Sequence, residues 1–157
     1  MRLADLTYVA LKTPIGHLSL GFWRAQLAYV GTTKMNAYTQ PDQDIHHRAK
    51  RQLQEYFYEG RRTFDLPLLW SGTPFQERAW TVLSSIPYGT TLSYKEQALR
   101  MGHPKAQRAV GGANGKNALM IVVPCHRVIS SNGTLGGFSS GAELKSWLLT
   151  HERALMG

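Results

Sequence analysis

The sequence predicts a two-part α+β chain: a small α/β domain, formed by a sheet and a helix, over residues 1–71, and a mainly helical domain over residues 72–157. Two observations predict this division. Short apolar runs with turn signals between them fill the first third of the chain, whereas the second half contains helix-start signals followed by a loop rich in glycine and serine. A length of 157 residues accommodates two small domains, and a hydrophobic fraction of 43% is sufficient for a core.

Three strands are expected first. The segments Thr7–Leu11, Leu18–Phe22 and Leu27–Val30 are apolar and short, and Thr13-Pro14-Ile15-Gly16 between the first two has turn chemistry. The polar stretch Thr32–Gln43, which contains a proline, is expected to be a loop. These segments therefore predict a small sheet near the start of the chain.

One helix is expected after this loop. Asp42 or Asp44 is the expected N-cap, the helix runs to about Tyr58, and Gly60 ends it. Five apolar residues follow helical spacing within these limits: Ile45, Ala49, Leu53, Tyr56 and Phe57. The first domain is thus predicted to pair a sheet with a single amphipathic helix.

The two domains are expected to meet through a short extended region. Thr63–Leu66 predicts an edge strand, and Pro67–Gly72 predicts a linker. The second domain then opens at Thr73-Pro74-Phe75-Gln76, which combines an N-cap, a proline at the first helical position and a glutamine that completes a capping box. Pro87-Tyr88-Gly89 ends this helix. Its apolar face is formed by Phe75, Ala79, Val82, Leu83 and Ile86.

A second pair of helices has the helix-turn-helix pattern. Ser93-Tyr94-Lys95-Glu96 is another capping box, opening a helix to about Met101. Gly102-His103-Pro104 breaks the chain, and Lys105–Asn114 starts the next helix. The exposed positions of this next helix are basic or small: Lys105, Gln107, Arg108, Gly111 and Gly112. Many helical hairpins bind no DNA, so this pattern alone leaves the function open.

The charge of the chain narrows the class of partner. Eighteen Lys and Arg against ten Asp and Glu give a net charge of +8, which favours an anionic partner, most often nucleic acid; the alternative is a soluble protein that is merely basic.

The longest apolar run, Leu119–Val123, is far below the ~20 residues of a membrane span. No secretory signal is expected in Met1–Ala10, so a cytoplasmic or nucleoid-associated monomer is predicted. A single cysteine excludes an internal disulfide and a cysteine-rich zinc site.

That single cysteine is the candidate reactive group. It lies in Pro124-Cys125-His126-Arg127, between an apolar approach and the small-residue loop Ser130–Gly141. A buried, inert cysteine is the common alternative. A thiol attacks as thiolate, with an ordinary pKa of about 8.5, and a neighbouring histidine and arginine are expected to favour the anion. A third group is then needed to orient the histidine, and Glu152 is a candidate.

With these residues in view, the chain resembles the O6-alkylguanine-DNA alkyltransferases, which are self-sacrificing DNA repair proteins. The resemblance covers residues 73–152, and the N-terminal third resembles the family's variable α/β domain in layout only. The matching motifs are Thr73-Pro74-Phe75-Gln76, Ile86-Pro87-Tyr88-Gly89, Ser93-Tyr94, Arg108-Ala109-Val110-Gly111, Asn117, Pro124-Cys125-His126-Arg127-Val128, Trp147-Leu148-Leu149 and His151-Glu152. The resemblance implies a winged helix-turn-helix-like alkyltransferase domain over residues 72–157.

The resemblance also implies the chemical roles. Cys125 would be the alkyl acceptor, His126 its base through a bridging water, and Glu152 the carboxylate that orients the histidine. Tyr94 would contact the flipped guanine and help neutralise charge on the departing base. Asn117 would tie the helix-turn-helix to the reactive segment. No cofactor and no metal are implied.

Further residues are implied to bind the DNA and the base. Arg108 would fill the gap that the flipped base leaves in the duplex. Its helix would approach double-stranded DNA from the minor groove. The remaining implied DNA contacts are Tyr94, Ser93, Arg127, Gly111 and Lys105. The alkylguanine pocket would include Val128, Phe138, Ser139 and Ser140, with the Ser139 backbone donating to O6 and the Cys125 and Val128 carbonyls accepting from the exocyclic amine.

The chain departs from the family's pattern at four positions. Ala118 and Met120 stand where prolines are usual, Phe138 replaces a common tyrosine, and Ser140 replaces a frequent glycine. The first two changes are expected to make the approach to the cysteine less rigid, and the last two to alter the pocket near its lid. Three N-terminal histidines are expected on the surface rather than as metal ligands: His17, His46 and His47.

The resemblance predicts direct reversal of O6-alkylguanine, and less so of O4-alkylthymine, by a single irreversible transfer to Cys125. Three other functions compete with this prediction. A non-catalytic lesion binder of the same architecture would lack the cysteine. A helix-turn-helix transcription regulator would need a base-reading helix, which Gly111-Gly112-Ala113 does not offer. A Cys-His hydrolase would need an oxyanion site, for which the sequence shows no signature.

Overall fold

The structure is a computed structural model that describes the backbone of residues 2–156 and the side chains of residues 2–153. The chain forms two compact units, Met1–Ser71 and Gly72–Gly157. The first unit contains a sheet and a helix, and the second is mainly helical. The predicted mixed α and β fold class is confirmed.

The first unit is built on three antiparallel strands in the order β1 (Thr7–Thr13), β2 (Gly16–Trp23) and β3 (Gln26–Gly31). Helix α1 (Asp44–Tyr58) packs against β1 and β3. Burial of one face of each element explains the apolar pattern of the sequence. The buried side chains of this core include Val9, Leu11, Leu18, Leu20, Phe22, Leu27, Val30, Ile45, Ala49, Leu53, Tyr56 and Phe57.

The start of α1 differs from the prediction. Gln43 is the N-cap and makes no side-chain cap hydrogen bond, while Asp44 is already the first helical residue. Asp42 instead faces His46, with 3.3 Å between Oδ1 and Nδ1. His46 is buried against the ring of Phe22, with the ring centroids 4.6 Å apart, so the expectation that it lies on the surface is wrong. Helical periodicity places His46 on the inner face of α1, which sets its environment.

The expected edge strand at Thr63–Leu66 is absent from the described chain. The Gln52 side chain binds the backbone of Asp65 in both directions, at 2.9 and 3.0 Å, and takes the place of strand pairing there. Pairing occurs later, because Leu27 donates to the Pro67 carbonyl at 2.8 Å and accepts from Leu69 at 2.9 Å. The beginning of the predicted linker is therefore fixed to β3.

The second unit contains four helices and a two-stranded ladder. Thr73 and Ser93 each accept a hydrogen bond from the residue three positions later, so both predicted capping boxes are confirmed. No helix in the described part of the chain is long and apolar enough to cross a bilayer. The elements are α2 (Pro74–Ser84), β4 (Leu92–Ser93), α3 (Tyr94–Arg100), α4 (Gln107–Gly115), β5 (Val128–Ile129) and α5 (Ala142–Met156).

Buried polar contacts fix α3 and α4 as a helix-turn-helix. The amides of Gln97 and Asn114 exchange two hydrogen bonds, at 2.9 and 2.8 Å. Trp80 Nε1 on α2 donates to the Ala113 carbonyl at 2.9 Å. Since an unmade buried hydrogen bond costs about 1–3 kcal/mol, these contacts specify how α4 sits on α2 and α3.

A short parallel ladder connects this helix pair to the cysteine segment. Leu92 pairs with Val128 and Ser93 with Ile129, so β4 and β5 lie side by side. β4 leads directly into α3, and β5 directly follows a single 3-10 turn at Cys125–Arg127. The fold thereby brings the start of α3 next to the only cysteine.

Candidate functional site

The approach to the cysteine is held by two tight turns. Val122 donates to the Met120 carbonyl at 2.8 Å around Ile121, whose φ is +74°. Cys125 donates to the Val123 carbonyl at 2.8 Å around Pro124. A β-branched residue at positive φ is strained by about 1–3 kcal/mol and persists only where packing requires it, and Ile121 is buried. Packing around Ile121 therefore holds the first turn, where Ala118 and Met120 stand in place of prolines, and Pro124 lies within the second turn.

Asn117 ties the end of α4 to the thiol. Its Nδ2 donates to the Val123 carbonyl at 2.8 Å and lies 3.3 Å from Sγ of Cys125. Its Oδ1 accepts from the backbone N–H of Leu119 at 3.0 Å. Both polar atoms of the Asn117 amide therefore bind the reactive segment: Nδ2 contacts a backbone carbonyl and the sulfur, and Oδ1 contacts a backbone N–H.

The thiol of Cys125 is buried and neutral at rest. Burial raises its pKa, against the smaller opposing effects of the Asn117 hydrogen bond and the charge of Lys145. The expectation that neighbouring histidine and arginine favour the resting thiolate is therefore wrong. The side chains that favour the anion are Asn117 and Lys145, and desolvation of the anion outweighs them; the Arg127 charge is paired with Glu152.

Glu152 on α5 is the centre of a buried polar cluster. Its Oε1 lies 2.9 Å from Arg127 Nε, and its Oε2 lies 3.0 Å from Arg127 Nη2 and 2.7 Å from His126 Nε2. Burial alone would raise the pKa of Glu152, but the hydrogen bonds from His126 and Arg127 outweigh it and hold the pKa well below its usual range. Glu152 is therefore a carboxylate at any physiological pH.

Arg127 was predicted to contact DNA, and the structure corrects this. Its side chain is 6% exposed, and its guanidinium forms a buried ion pair with Glu152. Nη1 donates to the Ile86 carbonyl at 2.8 Å, and the guanidinium carbon lies 5.5 Å from the Tyr88 ring centroid. A DNA phosphate has no access to it. Arg127 instead holds Glu152 in place.

The turn Ile86-Pro87-Tyr88-Gly89 cradles this ion pair. Besides the contacts of Ile86 and Tyr88 with the guanidinium, the Gly89 N–H donates to Glu152 Oε1 at 3.2 Å. Gly89 has a φ of +79°, which favours glycine. The sequence predicts a helix stop and a family motif here but gives the turn no contact with Glu152, because its partners are distant in the chain. Its second role is to complete the shell around the carboxylate.

The geometry fixes the tautomer of His126. A carboxylate only accepts hydrogen bonds, so Nε2 of the imidazole donates its proton to Glu152 and Nδ1 carries the free lone pair. Nδ1 is buried without a hydrogen-bond partner in the described chain. Burial lowers the pKa of His126, and the charges of Arg127 and Lys145 lower it further against the opposing effect of Glu152. The imidazole is thus a neutral base with one unused acceptor.

A cavity of about 500 Å³ ends on the thiol. Six of the residues predicted for the site line it, and of the four predicted for the alkylguanine pocket it includes Phe138 and Ser139 but not Val128 and Ser140. Val128 is fully buried in β5, and Ser140 follows the part of the loop that forms the wall. The lining residues are Tyr94, Gln107, Arg108, Gly111, Asn114, Gly115, Cys125, Gly137, Phe138 and Ser139.

Tyr94 forms one wall of this cavity at the start of α3. Its hydroxyl donates to the Gly137 carbonyl at 3.3 Å. A Cβ at Gly136 would lie 2.8 Å from the Tyr94 ring, and Gly136 also has a φ of +72°, so glycine is required there. Burial raises the pKa of Tyr94, and the charge of Cys125 raises it further, which keeps the phenol protonated.

The predicted DNA contacts other than Arg127 lie at the rim or near it. Arg108 and Lys105 are exposed, on α4 and just before it, and Gly111 faces the cavity. Ser93 uses its hydroxyl oxygen to accept from Glu96 N at 3.0 Å as the cap of α3. Among the described residues no group of three His, Cys, Asp or Glu side chains is placed to hold a metal ion.

Lys145 is a site residue that the sequence did not reveal. It lies on α5 and is buried, and its ammonium donates to the carbonyls of Leu135 and Gly137. Nζ also lies 5.7 Å from the Tyr94 ring centroid. The only sequence signal for this residue is a lysine on the inward face of α5. That face cannot be recognised before the position of the helix in the fold is known.

Comparison with known proteins places the chain in a family. The family model for the DNA-binding domain of 6-O-methylguanine DNA methyltransferase matches residues 74–154. Methylated-DNA–protein-cysteine methyltransferase of Methanosarcina acetivorans is 42% identical over 151 residues, covering 92% of this chain and 97% of the relative. The constitutive enzyme of that name from Bacillus subtilis is 42% identical over 156 residues, covering 93% and 94%.

Solved structures give the same result. The crystal structure of Mycobacterium tuberculosis OGT in complex with DNA superposes with a TM-score of 0.85 at 39% identity, covering 95% of this chain and 94% of that one. The O6-methylguanine-DNA methyltransferase of Pyrococcus kodakaraensis, at 23% identity and a TM-score of 0.66, shares the fold. With a family model that matches more than half of its length and relatives that match along nearly all of it, the chain belongs to the methylated-DNA–protein-cysteine methyltransferase family.

Proposed function

We propose that this protein repairs DNA by direct reversal, moving the alkyl group from O6 of guanine, and less readily from O4 of thymine, onto Cys125. The observation that carries this proposal is a base-sized cavity that ends on the only thiol of the chain, beside a neutral histidine. In the reaction the bond from Sγ to the alkyl carbon forms while the bond from that carbon to O6 breaks. The products are a thioether on the protein and a guanine anion, which takes up one proton at N1 from solvent to become the unmodified base, balancing the proton that the thiol gives to His126.

The thiol proton leaves through His126. Nδ1 carries the free lone pair of the imidazole, and a bridging water carries the proton to it from Sγ. Glu152 is paired with Arg127 both before and after the transfer, so His126 accepts the proton while the buried carboxylate keeps its counter-ion. Glu152 and the imidazolium then form a charge-assisted hydrogen bond. The buried thiol thus ionises only as the alkyl group arrives.

The departing guanine gains negative charge, and Tyr94 is placed to offset it. Its phenol lines the cavity and stays protonated. A hydroxyl that faces a developing anion in a partly buried site stabilises the transition state. Asn117 does not line the cavity and acts instead by holding the sulfur and its backbone.

The O6 atom lies on the pairing edge of guanine, so the base must leave the duplex before it can react. Arg108 lies exposed at the rim of the cavity and is positioned to occupy the vacated place in the stack. The neighbouring glycines of α4 present little side chain, which suits close approach to the minor groove with little reading of sequence. We place this activity in a monomer that acts where DNA is, in the cytoplasm or on the nucleoid.

Intact-mass measurement after incubation with a double-stranded oligonucleotide containing one O6-methylguanine tests the proposal. The protein mass should rise by one methyl group, and peptide mapping should find it on Cys125. Cys125→Ser is the matched control, since a serine hydroxyl is not ionised at neutral pH; it should bind the oligonucleotide and stay unmodified. Binding by the wild-type protein without any mass change would instead identify a non-catalytic lesion binder.

A further inference from the structure

The strongest unassigned feature of the molecule is a buried cation that contacts Tyr94 and Gly137, two residues that line the same cavity as the reactive thiol. Lys145 is fully buried, although lysine is rarely so unless it is paired. Its ammonium donates to two loop carbonyls, Leu135 and Gly137, and lies over the ring of Tyr94. These three contacts are neutral. Among the described residues no carboxylate forms an ion pair with Lys145.

A buried charge without a counter-ion is costly. The cost is visible in Lys145 itself, because burial lowers its pKa to about 8. The group whose charge opposes this effect is Cys125, and the charge of Lys145 in turn favours the thiolate. A buried cation without a carboxylate partner is thus coupled electrostatically to a buried thiol that must become an anion, and both lie at the same cavity.

The two loop carbonyls link this charge to the shape of the cavity. Gly137, Phe138 and Ser139 form the wall that belongs to the small-residue loop. The Lys145 ammonium, anchored on α5, holds the start of that wall at Leu135 and Gly137. The Tyr94 hydroxyl binds the same Gly137 carbonyl from α3. One side chain thus contacts both the wall of the cavity and the aromatic residue opposite it.

We propose that Lys145 is a positioning residue that supplies the counter-charge of the Cys125 thiolate while holding the loop wall of the cavity in place. The inference rests on the proposed function of Cys125 as the attacking thiolate. The same positive charge opposes protonation of His126, so Lys145 favours the thiolate but not the imidazolium, which Glu152 stabilises once His126 has taken the thiol proton. The alternative is that Lys145 only pins the loop.

Alkylation of Cys125 by iodoacetamide, followed by mass spectrometry as a function of pH, separates these roles. The midpoint of the rate profile reports the pKa of the thiol, and the plateau at high pH reports its accessibility. Lys145→Met removes the charge and keeps the length of the side chain. Lys145→Gln removes the charge and keeps a hydrogen-bond donor. Arg153→Met removes one exposed charge from the same helix and serves as the control.

Both neutral variants should move the midpoint upward by about one pH unit or more, a roughly tenfold loss of rate at pH 7.5. Lys145→Met should also raise the plateau, because the wall loses its anchor. Arg153→Met should match the wild type, and Lys145→Arg, which keeps the charge, should lie between the wild type and the neutral variants. A raised plateau with an unmoved midpoint would refute the role of Lys145 as counter-charge of the thiolate and leave only its role in holding the loop.

A measurement on the wild-type protein covers the case in which the neutral variants do not fold. Coupling between two titrating groups is reciprocal, so the pKa of Lys145, followed by NMR of its Cε, should fall when Cys125 is methylated and can no longer ionise. An unchanged lysine pKa would refute the inference. Because neither test uses DNA, failure here with normal methyl transfer would leave the proposed function standing.

Discussion

Arg127 and Glu152 are joined at two points inside the helical unit, with Nε 2.9 Å from Oε1 and Nη2 3.0 Å from Oε2. The pair is almost completely shielded from solvent, since the two side chains are 6% and 1% exposed. A two-point contact between guanidinium and carboxylate fixes orientation as well as distance. The carboxylate that contacts His126 is therefore itself held in place by a two-point contact.

Arg127→Met should lower the free energy of unfolding by about 3–5 kcal/mol, because it leaves a buried carboxylate without its cation. Urea unfolding of the variant and the wild type measures this difference. Arg153→Met, an exposed change on α5, should stay within about 0.5 kcal/mol of the wild type. A small loss of stability together with a flatter salt dependence of DNA binding would instead restore Arg127 as a phosphate contact.

Glu152→Gln should change the response of stability to acid. The folded pKa of Glu152 lies well below its usual 4.5, so its carboxylate stabilises the protein fully above that value and progressively less as pH falls through the folded pKa. Below pH 4.5 the wild type should therefore lose its advantage over the variant. His126 titrates in both proteins, so the urea curves are compared only in that range, where unfolded histidines are already protonated. A constant difference would contradict the low pKa.

Elements that depend on local sequence could be predicted. Both capping boxes, at Thr73 and Ser93, follow from residues three positions apart, and the structure contains them. Arg127 could not be placed correctly, because its partners Glu152 and Ile86 lie 25 and 41 residues away. The same holds for Lys145, whose environment exists only once α5 packs against the loop. Motif order led to the proposed nucleophile and its proposed relay, but only burial separates the exposed cation Arg108 from the buried cations Arg127 and Lys145.

Arg108→Ala should slow transfer from duplex DNA by about tenfold to a hundredfold, which is the loss expected from removing a stacking contact of roughly 1–3 kcal/mol. Transfer from free O6-benzylguanine should change little, since no gap in a duplex needs filling. Single-turnover rates at saturating protein measure both. Lys105→Ala separates charge from stacking, because it should weaken binding and lower its salt slope without slowing the saturated rate. Equal losses on both substrates would place Arg108 in the chemistry or in folding.

Gly112→Ala should stabilise the protein and yet impair repair of duplex DNA. A Cβ at Gly112 meets no atom within 4 Å, and the residue lies within α4. Replacing a helical glycine by alanine then adds about 0.5–1 kcal/mol to stability. Thermal melting measures that gain, and transfer from duplex against free base measures the loss of close approach. A stabilised variant with unchanged duplex repair would show that α4 does not need a bare surface at this position.

The protein should stop after one turnover. Transfer turns the Cys125 thiol into a thioether, which is a far poorer leaving group than alkylated guanine, and the chain has no second cysteine to take the alkyl group onward. The methylated sulfur also has no proton to give to His126, so the relay that prepares the thiolate has nothing to act on. Titration with increasing methylated duplex should therefore reach an endpoint of one methyl group per chain, as read by intact mass. Lys145→Arg should reach the same endpoint more slowly, because it alters the rate of thiolate formation and not the number of methyl groups that each chain can accept. Release of the methyl group, or a second transfer in buffer free of thiols, would refute single turnover directly.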